Sequence, residues 1–176
     1  MDTKIVLIVG PSGVGKDTLL KGAKKELKGD IHFVKRYITR KPDKNEKNFF
    51  VDNFAFEILK HNSFFASTWN AHGNYYGIAK NSIKNKVNVI SISRSKVSDF
   101  EKQYEKVYTI NITVSKEELR NRLLLRKRES IEEIEKRLDR SYENIDAKNL
   151  IDFDNSKNID ESLEEFINLL KKLALE

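Results

Sequence analysis

Gly10-Pro11-Ser12-Gly13-Val14-Gly15-Lys16 fits the pattern G-x-x-x-x-G-K, a set of residue types suited to holding an anion. Glycines let successive backbone N–H groups turn toward one centre, and a helix N-terminus adds its partial positive charge. A lysine at the end of the loop can then reach the outer phosphates of a nucleoside triphosphate. The motif has meaning only between a strand and a helix. The short apolar run Lys4-Ile5-Val6-Leu7-Ile8-Val9 before it reads as a strand buried in a parallel sheet. Asp17 to Lys28 after it reads as a helix with Leu19, Leu20, Ala23 and Leu27 on one face. The alternative is a glycine-rich turn carrying a surface lysine.

One position departs from the motif. Asp17 stands where a Ser or Thr would hold Mg²⁺, and Thr18 follows it. An acid in a first helical turn is favoured by the helix dipole alone. Its carboxylate can also take over a metal-binding role, directly or through water. The strand predicted over Val87 to Ile92 ends in Ser91 and Ser93 with no carboxylate. A charge missing there and gained at Asp17 suggests compensation.

The net charge is +6, with 34% charged residues, and arginine is the informative part of it. Of nine arginines, six lie between Arg120 and Arg140, and the others are Arg36, Arg40 and Arg94. Clustered arginine suits a bidentate grip on phosphate or carboxylate. Arg120, Arg122, Arg128 and Arg140 also read as helix-surface partners of Glu117, Glu118, Glu132 and Glu143. The scattered lysines read as a solvated coating. The basic charge leaves nucleic acid open as a partner, but no recognisable module supports it.

Cysteine is absent, which excludes disulfides, thiolate nucleophiles and cysteine-based zinc sites. His32, His61 and His72 show no metal-ligand spacing. No apolar run approaches the roughly 20 residues of a membrane span. The start lacks a signal-peptide pattern, so a cytoplasmic address and no membrane partner are expected.

The elements that must position these residues alternate between strand and helix. A short helix begins near Asp52, suggested by Phe54, Ile58 and Leu59; Phe64 to Trp69 and Tyr75-Tyr76 flank a tight turn at His72-Gly73-Asn74. Val87 to Ile92 and Val107 to Val114 read as strands with a helix between them. Ser115 with Glu118, and Ser130 with Glu133, form capping boxes opening helices toward Arg126 and Tyr142. Leu150 to Phe153 is a last short strand, followed by a helix lined by Leu163, Phe166, Ile167, Leu170 and Leu173. The pattern predicts a mostly parallel three-layer α/β sandwich. The 176 residues suit one domain: a core over 1–34, 79–117 and 141–176, with inserted segments at 35–78 and 118–140.

With these residues placed, the chain resembles the guanylate-kinase-type phosphotransferases over nearly its whole length. The phosphate loop, Thr39-Arg40, and His72-Gly73-Asn74-Tyr75-Tyr76-Gly77 carry the resemblance. It implies ATP as donor on residues 10–18, an acceptor segment over 35–78 with Tyr76 touching the acceptor's phosphate, and a lid over 118–140. Arg126 and Arg137 match the lid arginines that close on the transferring phosphates, and with Lys16 they form the implied catalytic set. Asn155 matches an asparagine beside the adenine.

The residues that would read guanine do not carry over. The position of the base-recognising glutamate is Ser67, an early serine is replaced by Arg36, and a second acceptor-phosphate arginine falls at Asp43. Gly15-Lys16-Asp17, Arg36-Tyr37-Ile38-Thr39-Arg40, Trp69 and Ser93-Arg94 are instead similar to the ribose 1,5-bisphosphate phosphokinases, relatives of guanylate kinase. That resemblance implies transfer of the γ-phosphoryl of ATP, with Mg²⁺, to the 1-phosphate of a sugar bisphosphate. Arg36, Arg40, Arg94 and Tyr76 would hold the sugar's phosphates. A phosphate acceptor is already ionised, so no general base is required. The alternatives are a nucleoside monophosphate kinase and a non-catalytic binding module of the same fold.

Overall fold

The computed structural model describes residues 3–27, 29, 31–42, 48–125, 130–141 and 144–176. Nine strands occur among them: β1 Lys4–Val9, β2 Ile31–Phe33, β3 Tyr37–Ile38, β4 Phe49–Phe50, β5 Phe65–Ala71, β6 Asn74–Ala79, β7 Val87–Ser91, β8 Lys106–Thr113 and β9 Leu150–Asp154. The helices are α1 Lys16–Glu26, α2 Asn53–His61, α3 Val97–Glu101, α4 Lys116–Leu125, α5 Ile131–Ser141 and α6 Ile159–Leu175. The larger sheet has the order β2-β7-β1-β8-β9, and a second has the order β4-β3-β6-β5. Parallel pairing of β2 with β7 and of β8 with β9 fits the predicted α/β class. Every residue of β1 is buried, as a strand covered on both faces must be.

The chain forms two compact units, Met1–Leu7 with Gly29–Val107 and Ile8–Lys28 with Tyr108–Glu176. In the first, the hairpin β5–β6 turns on His72 and Gly73, with φ of 52° and 72°. Two successive positive φ values match the right-handed twist of the strands, which is why a glycine sits there. Tyr76 faces Ile38 on β3 and Trp69 on β5. The two- and three-residue strands β2, β3 and β4 are absent from the sequence reading, because such lengths give no periodicity to detect.

Helix α2 forms where expected, capped by Asp52, whose carboxylate accepts from Ala55 N at 2.8 Å. Its buried face differs from the stripe that suggested it. Phe54 is 77% exposed and Ile58 46%, whereas Phe56 is fully buried. Phe56 stacks on Phe65 at 4.8 Å and on Tyr75 at 5.5 Å. Leu59, the third residue that suggested the helix, is half-buried, and aromatic partners on β5 and β6 decide which side is covered.

In the second unit, the Ser130–Glu133 capping box is complete, while Ser115 caps α4 through its hydroxyl and Glu118 Oε1 goes to Arg122 instead. Ser115 Oγ accepts from Glu118 N, while Ser130 and Glu133 satisfy each other's backbone N–H groups at 2.8 and 3.2 Å. Leu119 and Leu123 of α4 and Ile134 and Leu138 of α5 are buried. Arg120 Nε donates to Glu135 Oε1 at 2.6 Å and Lys116 Nζ pairs with Asp139 at 3.0 Å, both across α4 and α5. Arg120 is thus an interhelical partner, not the partner of Glu117. Arg122 does pair with Glu118, at 2.8 Å. Arg128 and Glu143 lie outside the described residues, as does the side chain of Arg140. Helix α6 buries Phe166, Leu170 and Leu173, and Phe166 meets Phe153 edge-on at 5.5 Å.

Candidate active site

The phosphate loop belongs to the second unit and runs directly into α1, with Gly15 in the left-handed region as the residue before the helix. Gly10, Gly13 and Gly15 have φ of 138°, 100° and 101°, values that leave little room for any other residue. Tertiary packing reinforces two of these. A Cβ on Gly10 would run into the Ile112 backbone carbonyl, and one on Gly15 into the Asn155 amide. Gly13 lies against Leu119 and Leu123 of α4, so the loop is seated on that helix. Pro11 and Val14 are buried, while Ser12, Asp17 and Thr18 are exposed.

Lys16 Nζ donates to the carbonyls of Gly10 at 2.6 Å and Pro11 at 2.7 Å. Its ammonium is therefore stationed over the loop that the motif assigns to phosphate. Asn155, 5% exposed, donates from Nδ2 to the Val14 carbonyl at 2.7 Å, and its own carbonyl accepts from Arg122 Nη2 at 3.0 Å. Arg122 Nη1 also reaches the Val14 carbonyl, at 3.1 Å. Arg122 keeps the helix-surface partner that sequence reasoning gave it and also reaches the phosphate loop. Its local partner Glu118 was visible in the spacing; its contact with Val14, 108 positions away, was not. Arg126 lies outside the described residues. Arg137 falls on α5, and its side chain lies outside them too.

The proposed acceptor residues belong to the first unit. Arg36 directly precedes β3; its Nη1 lies 3.5 Å from Ser91 Oγ, and its Cζ sits 5.7 Å from the centroid of the Tyr76 ring. Tyr76 stacks on Trp69 at 5.4 Å with 7° between planes. The guanidinium and the indole thus both border the Tyr76 ring. The Thr39 hydroxyl accepts from Tyr75 N at 2.9 Å, tying the Thr39-Arg40 segment to the hairpin. Arg40 is exposed and lines a cleft with Phe49 and Phe50; Arg94 is half-buried and opens the short 3-10 turn after β7. The structure brings Arg36, Tyr76 and Ser91 together, with Arg40 and Arg94 on the same unit.

Ser67 is buried and donates to Asp99 Oδ2 at 2.7 Å, and Asp99 pairs with Lys96 at 3.5 Å. At the position where the resemblance expects a base-reading carboxylate, the hydroxyl is thus engaged with Asp99. Asp43 lies outside the described residues. Among the described residues no group of three or more His, Asp or Glu side chains could hold a metal.

A phosphate loop opening α1 beside a mostly parallel sheet defines a P-loop kinase architecture, and the chain belongs to the guanylate kinase family, whose model matches residues 2–174. Among its relatives is the ribose 1,5-bisphosphate phosphokinase PhnN of Rhizobium etli (strain CIAT 652). It is 36% identical over 180 residues, covering 98% of this chain and 91% of that protein. PhnN of Burkholderia pseudomallei (strain K96243) is 34% identical, covering 97% of each. The solved guanylate kinase of Anaplasma phagocytophilum shares the fold, with a TM-score of 0.63 at 23% identity, over 99% of this chain and 87% of that one.

Proposed function

We propose that the chain transfers the γ-phosphoryl group of ATP to the 1-phosphate of ribose 1,5-bisphosphate, giving 5-phosphoribosyl 1-diphosphate and ADP. The observation that carries this reading is Arg36. It stands over Tyr76 and beside Ser91, where guanylate-kinase-type relatives read a base, and it favours a second phosphate in that position. The full-length similarity to the PhnN phosphokinases supports the same choice.

An oxygen of the acceptor phosphate forms the new P–O bond, the bond from the γ-phosphorus to the bridging oxygen breaks, and ADP leaves with that electron pair. The nucleophile is already anionic, so no side chain has to remove a proton. What the protein supplies is alignment and positive charge. Lys16 and the loop amides hold the donor phosphates; Arg36, Arg40, Arg94 and Tyr76 hold the acceptor; Arg126 and Arg137 close from the lid. The expected work is in the cytoplasm, where ATP is available.

One carboxylate combined with substrate phosphate oxygens and water suits Mg²⁺. Asp17, exposed in the first turn of α1 next to Lys16, fits that donor set, with the Thr18 hydroxyl adjacent in sequence. Bound there, Mg²⁺ supplies charge neutralisation on the donor phosphates. Asp17→Ser is expected to shift the Mg²⁺ concentration for half-maximal turnover upward; an unchanged titration curve removes Asp17 from that role.

The assay supplies Mg²⁺-ATP with either ribose 1,5-bisphosphate or GMP and follows ADP. Rapid ADP formation with the sugar bisphosphate is expected. Rapid formation with GMP alone identifies a nucleoside monophosphate kinase instead, and none with any acceptor identifies a binding module.

A further inference from the structure

The Val14 carbonyl receives two side-chain donors from different elements: Asn155 Nδ2, after β9, at 2.7 Å and Arg122 Nη1, on α4, at 3.1 Å. Arg122 Nη2 also holds the Asn155 carbonyl at 3.0 Å, and Glu118 fixes Arg122 Nε at 2.8 Å. The three groups therefore form a closed ring of hydrogen bonds around one peptide unit. The Val14–Gly15 peptide is trans, so its C=O and N–H point in opposite directions. Holding the carbonyl toward Arg122 and Asn155 turns the Gly15 N–H the other way.

We propose that Arg122 is a positioning residue: with Asn155 it locks the Val14–Gly15 peptide so that the Gly15 N–H faces the phosphates of the nucleotide. Gly15 has little intrinsic preference to keep this orientation, because glycine samples both signs of φ readily. A rotated peptide would direct a carbonyl at the phosphates and repel them. The absence of a Cβ at Gly15 is itself required, since the Asn155 amide occupies that space. A charged, two-pronged donor suits this task because its two N–H groups reach two carbonyls at once. A lysine has the charge without the fork.

The inference rests on reading the loop as a phosphate cradle, and inorganic pyrophosphate separates the two. It has phosphates and no base, so its affinity reports the loop alone. Calorimetric titration of the full chain should show pyrophosphate binding to the unsubstituted protein. Arg122→Ala should weaken it by about tenfold, the loss of bonds from a charged donor, Asn155→Ala by about fivefold, the loss of one neutral bond, and Arg122→Lys should recover only part. In ¹⁵N–¹H spectra the pyrophosphate-induced shift of the Gly15 amide should shrink in Arg122→Lys, the conservative variant that keeps the fold. Wild-type protein that ignores pyrophosphate overturns the cradle, and with it the proposed function. Wild-type binding that Arg122→Lys and Arg122→Ala retain within twofold overturns only the positioning role, even if ATP affinity falls. That pattern places Arg122 at the base instead.

Discussion

In the proposed function, Arg36 is the one side chain that redirects the acceptor pocket without altering its frame. The Tyr76 ring and the Ser91 hydroxyl border its guanidinium, and Tyr76 is in turn held flat by Trp69. Arg36→Ser is expected to raise the KM for ribose 1,5-bisphosphate while leaving ATP affinity within about twofold, since it removes a charge-assisted phosphate contact and touches nothing in the phosphate loop. Steady-state kinetics with each substrate varied in turn checks this, and equal loss on both substrates shows that Arg36 has another role. Arg36 was legible in the sequence as an excess positive charge. Arg122 was not, because its local pairing with Glu118 accounts for its presence on a helix and conceals the two carbonyls it also reaches.

At the scale of elements, helix ends were the clearest signals. Ser115 with Glu118 and Ser130 with Glu133 are local hydrogen-bonding devices that need no tertiary partner, and the hydroxyl cap is present in both. Ser130→Ala removes an acceptor from the exposed start of α5 and should cost about 1 kcal/mol of local stability. Hydrogen exchange of the amides in the first turn of α5 should accelerate about fivefold, in line with that loss. Exchange unchanged there shows that burial of Ile134 and Leu138 alone sets the helix start. The His72-Gly73 turn was equally readable, because a residue pair with positive φ has few compatible compositions. Strands β3 and β4 were not readable: two residues each, they exist only through pairing with their neighbours.

For the whole molecule, the aromatic cluster around Phe56 decides how the hairpin and α2 are held within the first unit. Phe56 is fully buried between Phe65 and Tyr75. Phe56→Ala is expected to cost about 3–5 kcal/mol, whereas Phe54→Ala, at a site 77% exposed, should cost under about 0.5 kcal/mol. Denaturant unfolding of both variants measures the contrast, and comparable losses would refute the assignment of the buried face.

By itself, the order of residues determined what depends on near neighbours: the glycine-rich loop before α1, the caps, the tight turn, the buried strand β1 and the alternation that makes an α/β sheet. These follow from backbone sterics and hydrogen bonds within a few positions of each residue. Only the tertiary structure decided which face of α2 is covered, that Arg120 reaches across to α5, and that Arg122 and Asn155 meet at Val14. Those contacts join residues 15 to 141 positions apart. Nothing in local propensity ranks such pairs, because closing the chain between them depends on every element that lies in between.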